Sequence, residues 1–379
     1  MKYGVGIDVS KGKSTVAILS INGEVIEMPF DINHDVEDLE KLDKKLQEFS
    51  KEDLKVVLEQ TGTYHLPILT YLLDKKYCVI AENALKIKKY LDRSLRKAKT
   101  DKKDSLKLAE YVCDNWYKLK VNFIEEEKYK ELRFLSRQYF SLNSMKVQQK
   151  VDFSDLTDML FPGYYQLLEE CNFVVGLKIF EKFSNPEIIR KKKLETFLND
   201  VEKIAQKIGQ QRAGRNLAIK VYELAKKSVP SCPSNSSTQL ILNKRVVALI
   251  NLIETTNEII AKMNEIAKSM DEYKEVRNMR GVGDRLAPLL IAEIGDIRRF
   301  KNAGSLIAYA GIDSPPYQSG KYEATNRHIS KRGNKYLRKT GFEVMQSIKS
   351  FCRVDCEVYD YIVKKEAEGK CKKSAKIAG

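Results

Sequence analysis

Four carboxylates and one serine are the residues of this 379-residue chain whose types and spacing point to chemistry. Asp8 lies within the apolar run Gly6-Ile-Asp-Val-Ser10, and an acid in such a run is costly unless a cation or hydrogen bonds compensate for it. Glu59 closes a second apolar run, ahead of Gln60-Thr61-Gly62. Asp101 and Asp104 stand one helical turn apart in Lys99-Thr-Asp-Lys-Lys-Asp-Ser105, so both carboxylates point to one face. Four hard oxygen donors drawn from two strands and a helix suit Mg²⁺ (or Mn²⁺), and two such ions can clamp the attacking and leaving oxygens of a phosphodiester. Taken singly, each acid has a plainer reading. Glu59 is then a strand-end solubiliser, and Asp101 and Asp104 are first-turn charges favoured by the helix dipole.

Ser319 sits in Tyr317-Gln-Ser-Gly-Lys321, after Pro315-Pro316. The run that follows, Asn326-Arg-His-Ile-Ser-Lys-Arg-Gly-Asn-Lys-Tyr-Leu-Arg338, is rich in phosphate-binding side chains. A serine beside a glycine and ahead of such a cluster can attack a phosphodiester with metal or arginine activation. The same residues also read as an ordinary turn followed by a solvated helix face, and Ser314 and Ser330 are competing hydroxyls. Gly281-Val-Gly283, opening a helix with Ala287, Leu289 and Leu290, has helix-hairpin-helix character and would offer backbone N–H groups to a phosphate.

Charge distribution points to a polyanionic partner. Residues 86–107 hold ten Lys/Arg against three Asp, and residues 320–379 hold fifteen Lys/Arg against seven Asp/Glu. These two segments supply the whole net charge of +15, which favours nucleic acid over a membrane, since no basic helix has a clean apolar face. No run of about 18 apolar residues is present and no signal peptide is read at the N-terminus, so a cytoplasmic protein is expected. Seven cysteines without a CxxC pair predict free thiols rather than a zinc site. With only three histidines, none in a nucleophile setting, catalysis falls to carboxylates and a metal.

The elements that must position these groups follow from periodicity. Tyr3–Val9, Ser14–Leu19, Glu24–Met28, Lys55–Glu59 and Tyr77–Ala81 read as strands, with a two-residue turn at Asn22-Gly23. Helices are predicted over about 36–49, 65–75, 84–97 and 101–114, giving a mixed α/β domain. From about 125 to 275 the pattern is helical. Val246, Ile253, Ile260 and Ala267 with Leu249, Thr256, Met263 and Met270 form a heptad stripe that predicts a coiled-coil seam, within one chain or between protomers. The expected domains are 1–122, 123–275, 276–345 and a basic tail over 346–379, whose last ten residues read as frayed.

These pieces, in this order, resemble the bridge-RNA-guided insertion-sequence transposases, relatives of the Piv-type DNA invertases, over nearly the whole chain. Gly6-Ile-Asp8-Val-Ser-Lys11, Glu59-Gln-Thr-Gly62 and Lys99-Thr-Asp101-Lys-Lys-Asp104 look like the DEDD motifs of that family's RuvC-like, RNase H-fold domain. Gly281-Val-Gly283, Glu293-Ile-Gly-Asp296 and Phe300 are similar to the opening of its transposase domain. Ala310-Gly-Ile312, Pro316-Tyr-Gln-Ser319-Gly320 and Ile329-Ser-Lys-Arg-Gly333 through Leu337-Arg338 look like its serine motif and basic helix. One departure is Lys321-Tyr-Glu-Ala-Thr-Asn after Ser319-Gly320, where the family often has further glycines and basic residues.

The resemblance implies an RNase H-like α/β domain, a helical coiled-coil middle and a mainly α transposase domain. It implies that Asp8, Glu59, Asp101 and Asp104 hold Mg²⁺, that Ser319 forms a transient phosphoserine bond to DNA, and that a structured non-coding guide RNA pairs with target and donor DNA. It also implies dimers that pair into tetramers. Contacts to nucleic acid are expected from Lys11, Arg93, Arg96, Lys97, Gly281, Gly283, Lys321, Arg327, Lys331, Arg332 and Arg338. The principal rival is a metal-only, RuvC-like junction-resolving nuclease, which would leave the serine motif and the helical middle unexplained. A sugar-kinase-like ATPase and a non-catalytic RNA-binding protein are further rivals. The first lacks its second phosphate motif and adenosine loop, and the second predicts no effect of Asp8→Asn.

Overall fold

The computed structural model describes residues 1–60, 62–91, 100–119, 126–169, 173–209, 211–232, 235–315, 318–319, 322–323 and 328–378. The chain divides into two compact units, Met1–Ile124 and Glu125–Gly379.

The first unit is built on a five-stranded sheet of β1 (Tyr3–Val9), β2 (Lys13–Ser20), β3 (Val25–Asn33), β4 (Leu54–Glu59) and β5 (Cys78–Glu82), in the order β3-β2-β1-β4-β5. β1, β2 and β3 form an antiparallel meander, while β4 and β5 run parallel to β1. Strict alternation divides the faces. Val5, Ile7, Val16, Ile18, Val56, Leu58 and Val79 face α1 (Val36–Leu46) and α2 (Leu66–Asp74). Val57 and Ile80 face the opposite layer, made of α3 (Ala84–Leu91) and α4 (Asp101–Asp114). This mixed sheet is compatible with the RNase H-like expectation.

Two glycines decide how α4 lies. A Cβ on Gly6 would fall 2.2 Å from the Ala109 nitrogen and 2.3 Å from the Ser105 carbonyl, and one on Gly4 would meet the Ala109 carbonyl, Val112 and Cys113 at 2.9–3.0 Å. The helix backbone therefore rests directly on β1 and runs antiparallel to it. The turn between β2 and β3 differs from its prediction. Ser20 N–H donates to the Glu24 carbonyl, so three residues, Ile21 to Gly23, make the turn. Gly23 takes φ +87°, as a three-residue hairpin loop requires at its left-handed position.

The second unit is helical: α5 (Glu127–Leu160), α6 (Tyr164–Glu169), α7 (Phe173–Lys182), α8 (Pro186–Arg190), α9 (Leu194–Lys207), α10 (Gln211–Lys227), α11 (Ser236–Ala267), α12 (Tyr273–Asn278), α13 (Leu286–Ile294), α14 (Ala303–Ala310), α15 (Lys335–Phe351), α16 (Glu357–Ala367) and α17 (Lys372–Ala378). The long α5 and α11 pack antiparallel within the chain. Arg245 bonds to Asp152 (2.7 Å) near one end, Lys146 to Thr256 in the middle, and Tyr129 to Glu272 beyond the other.

The heptad stripe is buried inside this unit. Val246 and Leu249 enter a core with Phe153, Phe161, Tyr164, Phe180 and Phe197, while Met263, Ala267 and Met270 pack with Leu132, Tyr139 and Leu289. The last ten residues are not frayed over their described length, because Ala375 of α17 is fully buried and Lys376 lies over the Phe342 ring. Among the described residues no helix is long and apolar enough to cross a membrane.

Candidate active site and nucleic-acid interface

The carboxylates gather at one end of the sheet. Ile7 pairs with Leu58 across β1 and β4, so Asp8 and Glu59 are next in line at adjacent strand ends, about 4.8 Å apart between strands. Both project to the α4 face, since Gly4, Gly6 and Asp8 alternate against Val5 and Ile7, and Glu59 alternates against Leu58. The glycine contacts bring α4 down with its first turn at this end. Gly4 touches the helix near Ala109–Cys113 and Gly6 touches it near Ser105–Ala109, so Asp8 falls level with Asp101–Ser105. Thr100 caps the helix by accepting from Lys103 N–H at 3.3 Å. The four acids of the sequence analysis thus come from two strands and a helix to one region.

Asp104 is buried, with 8% exposure, and its carboxylate makes no hydrogen bond or ion pair among the described residues. Glu59 is half-buried and likewise unpartnered among them, and Asp101 is exposed. Hard carboxylate oxygens gathered at one sheet end are the donor chemistry of a divalent-cation site. Their separations are those of an open arrangement: among the described residues no three His, Cys, Asp or Glu side chains converge closely enough to hold an ion.

The row continues to both sides. Glu82 is in register with Glu59 at the end of β5, and its Oε2 accepts from Tyr111 Oη of α4 (2.9 Å) and from Lys86 Nζ (2.6 Å). Burial raises the pKa of the Tyr111 phenol. Asp31 of β3 accepts from Thr15, which lies opposite Asp8. Neither Glu82 nor Asp31 is among the sequence-based candidates. Glu82 closes Cys-Val-Ile-Ala-Glu as Glu59 closes Lys-Val-Val-Leu-Glu, a signal that has no glycine motif after it. Both residues already have partners, which sets them apart from Glu59 and Asp104.

The serine lies in the other unit. Ser319 is the last residue of β6 (Gln318–Ser319), opposite Tyr322 of β7 (Tyr322–Glu323). The base of this excursion is welded by backbone contacts. Lys331 N–H donates to the Gly311 carbonyl, Asn334 N–H to the Tyr309 carbonyl, and Ser330 to both the carbonyl and the carboxylate of Asp313. A Cβ on Gly333 would lie 2.1 Å from the Tyr309 carbonyl, so only glycine lets the two strands of chain meet.

Beneath the base lies Glu293, fully buried. It accepts from Ser136 (2.7 Å), from Arg137 through both oxygens (3.1 and 2.9 Å) and from Asn334 (2.8 Å). Asn334 also caps α15 by accepting from Tyr336 and Leu337 N–H, and the Arg137 guanidinium stacks 4.0 Å from the Tyr336 ring centre. Asp296 of the same motif is held below the usual carboxylate range by Arg298, whose side chain and backbone N–H donate to it.

Lys331, at φ +54°, and Arg332 are exposed beside this base and form no ion pair among the described residues. Lys335 and Lys339, one turn apart on α15, likewise have no carboxylate partner there and extend the same basic stripe. Lys335 lies within the basic run read from the sequence, but neither lysine is among the individual contacts expected there, because both fall between motif positions. Arg338 instead turns inward and donates to the Ala310 carbonyl at 2.7 Å, bracing the loop base. Lys11 is exposed in the β1–β2 turn. Gly281, at φ +78°, packs against Ile348 of α15, whereas Gly283 faces open space in a groove of about 670 Å³ lined also by Asp284, Arg285 and Glu343. Arg93, Arg96, Lys97, Lys321 and Arg327 lie outside the described residues.

Comparisons with known proteins place the sequence among transposases. A family model described as a transposase, of the IS110 DEDD type, matches residues 5–162 and so spans the acidic row. A second, described as the transposase IS116/IS110/IS902 family, matches residues 273–359 and spans the loop base, Ser319 and α15. The chain is similar to an insertion element IS116 protein of Streptomyces clavuligerus, 21% identical over 96% of this chain and 88% of that one. It is 32% identical to the transposase of insertion sequence element IS1111A of Coxiella burnetii, over 26% of this chain and 27% of that one. An acid-bearing unit and a serine-bearing unit, each under its own family model and together covering more than half of the sequence, place this chain in the IS110/IS116 family of insertion-sequence transposases, which act on DNA.

Proposed function

We propose that this transposase cleaves and exchanges DNA strands through a transient phosphoserine linkage at Ser319, with Mg²⁺ or Mn²⁺ held by Asp8, Glu59, Asp101 and Asp104. The observation that carries the reading is the gathering of Asp8, Glu59, Asp101 and Asp104 from two strands and a helix at one end of the sheet, where the Asp104 carboxylate has no partner among the described residues. A carboxylate without a protein partner is open to a divalent cation. When bound, a divalent ion supplies charge neutralisation at the scissile phosphate and orients the reacting oxygens.

The Ser319 oxygen forms a bond to phosphorus as the bond from phosphorus to a deoxyribose oxygen breaks. The serine proton passes to solvent or a base, and the departing oxygen gains one. Attack on the phosphoserine by a hydroxyl of a second strand reverses these steps and reseals DNA without an external energy source. Two concentrated basic segments and the absence of a recognised base-reading motif in the sequence support guidance by a structured RNA that pairs with target and donor, leaving the protein to read backbone. The same reading includes assembly as a dimer, or as a tetramer of two dimers.

The test incubates the full chain with its own locus, RNA and Mg²⁺, and looks for a denaturation-resistant protein–DNA adduct mapped by mass spectrometry. An adduct at Ser319 that disappears in Asp8→Asn is expected. Clean nicks without an adduct would favour the metal-only junction-resolving nuclease, for which the acids suffice.

A further inference from the structure

The scaffold helix α5 carries two lysines that neither centre uses. Lys146 is half-buried between α5 and α11. Its ammonium donates to Thr256 Oγ1 at 3.1 Å and forms no ion pair among the described residues. Lys150, one turn further along, sits 4.1 Å from the centre of the Phe173 ring and also lacks a carboxylate partner among the described residues. Two carboxylates of this region are already engaged: Asp152 accepts from Arg245 and Gln148, and Glu343 accepts from Arg285. Burial pulls the Lys146 pKa down, and the charges of Lys150 and Arg285 pull it down further.

These cations lie in a line. Arg285, immediately before α13, donates to the Tyr139 hydroxyl of α5 at 3.4 Å. Tyr139, Lys146 and Lys150 are seven and four residues apart, spacings that share one helix face. The helix rise sets them about 10 Å and about 6 Å apart. At its other end the line meets the groove of Gly281 and Gly283, because Arg285 lines that groove too.

We propose that Arg285, Lys146 and Lys150 form a seat for a phosphodiester backbone, extending the groove onto the scaffold helix. The inference rests on the nucleic-acid reading above. Lys146 is half-buried near Lys150 and neither has a carboxylate partner among the described residues, so a phosphate anion relieves both the burial and the repulsion. Arg285 already has Glu343, whereas no carboxylate among the described residues pairs with Lys146 or Lys150, so the two lysines are the members of the seat that gain most from a partner's anion.

The experiment measures binding of the full chain to short duplex DNA and to RNA of arbitrary sequence, as a function of salt. Lys146→Met and Lys150→Gln each lower the slope of log K against log salt, by about 0.9 for duplex DNA or about 0.7 for a single strand. Lys146→Met keeps or raises the melting temperature, because it removes a poorly compensated charge. Lys262→Gln, whose lysine is exposed and paired with Glu265, leaves the slope unchanged. A fall confined to one polymer identifies that backbone as the occupant. Unchanged slopes in both lysine variants and with both polymers overturn the seat. If Lys331→Gln still lowers the slope in that case, the wider nucleic-acid reading survives, and if it does not, both fall together.

Discussion

The two centres of this transposase hold their chemical groups in opposite ways. In the first unit the acids stand at the ends of core strands, and α4 is pressed so closely onto β1 that Gly4 and Gly6 admit no side chain. In the second unit Ser319 sits in a hairpin of two-residue strands, and the rigidity lies below it, in the Gly311–Gly333 contact and the buried Glu293 hub. The acids proposed to hold a metal are thus fixed by a packed sheet and helix. The serine proposed as nucleophile is carried instead at the end of an excursion with a firm base.

The sharpest way to break this comparison is Asp104→Asn. Cleavage should fall on the order of 10²–10⁴-fold, as for loss of one catalytic group, while the melting temperature holds, because the Asp104 carboxylate has no partner among the described residues to lose. A marked loss of stability instead would make Asp104 a structural acid. Arg137→Ala should cost about 3–5 kcal/mol in chemical denaturation, since it strips the ion pair from a carboxylate with no exposure. Arg137→Lys should restore only part, because one ammonium does not reproduce the two-oxygen contact.

A matched pair of glycine substitutions comes next. Gly6→Ala should lose about 1–3 kcal/mol and cleavage together, as α4 is levered off the sheet. Gly333→Ala should reduce adduct formation more than stability, since the displaced segment is a loop base at the surface. Equal effects of the two on stability would remove the distinction drawn between the units. The smallest effect concerns pH. Arg298 depresses the Asp296 carboxyl below its ordinary value of 3.8, so its stabilisation is present above that pH and is lost as pH falls through the lower folded value. Asp296→Asn should therefore flatten the acid limb of a stability–pH curve, and an unchanged limb would show that Arg298 contributes nothing in solution.

Much of the first unit is legible in its residues alone. Tyr3-Gly-Val-Gly-Ile-Asp-Val9 alternates small and large residues with the period of a strand, and the same alternation marks which face Asp8 must share with the glycines. The turn at Gly23 is legible in place but not in length, since Asn-Gly fits the left-handed positions of a two-residue loop and of a three-residue loop alike. In the second unit, Ser319 is preferred over Ser314 and Ser330 only because it precedes the motif glycine, Gly320. The fold separates Ser330, whose hydroxyl is bonded to Asp313 at the loop base.

The amino-acid order suffices for the set of groups and their local geometry: strand-end acids, a capped helix with two acids in its opening turns, a heptad stripe and two basic segments. Those follow from periodicity, capping and charge, which act over a few residues. Which groups have partners is decided only by the tertiary structure. Glu82 is taken by Lys86 and Tyr111, Arg338 by Ala310, and Glu293 by residues 41 and 157 positions away, while Asp104 and Lys146 keep charges that no described protein group neutralises. Burial and pairing depend on what distant segments bring to a site, and no local pattern encodes that.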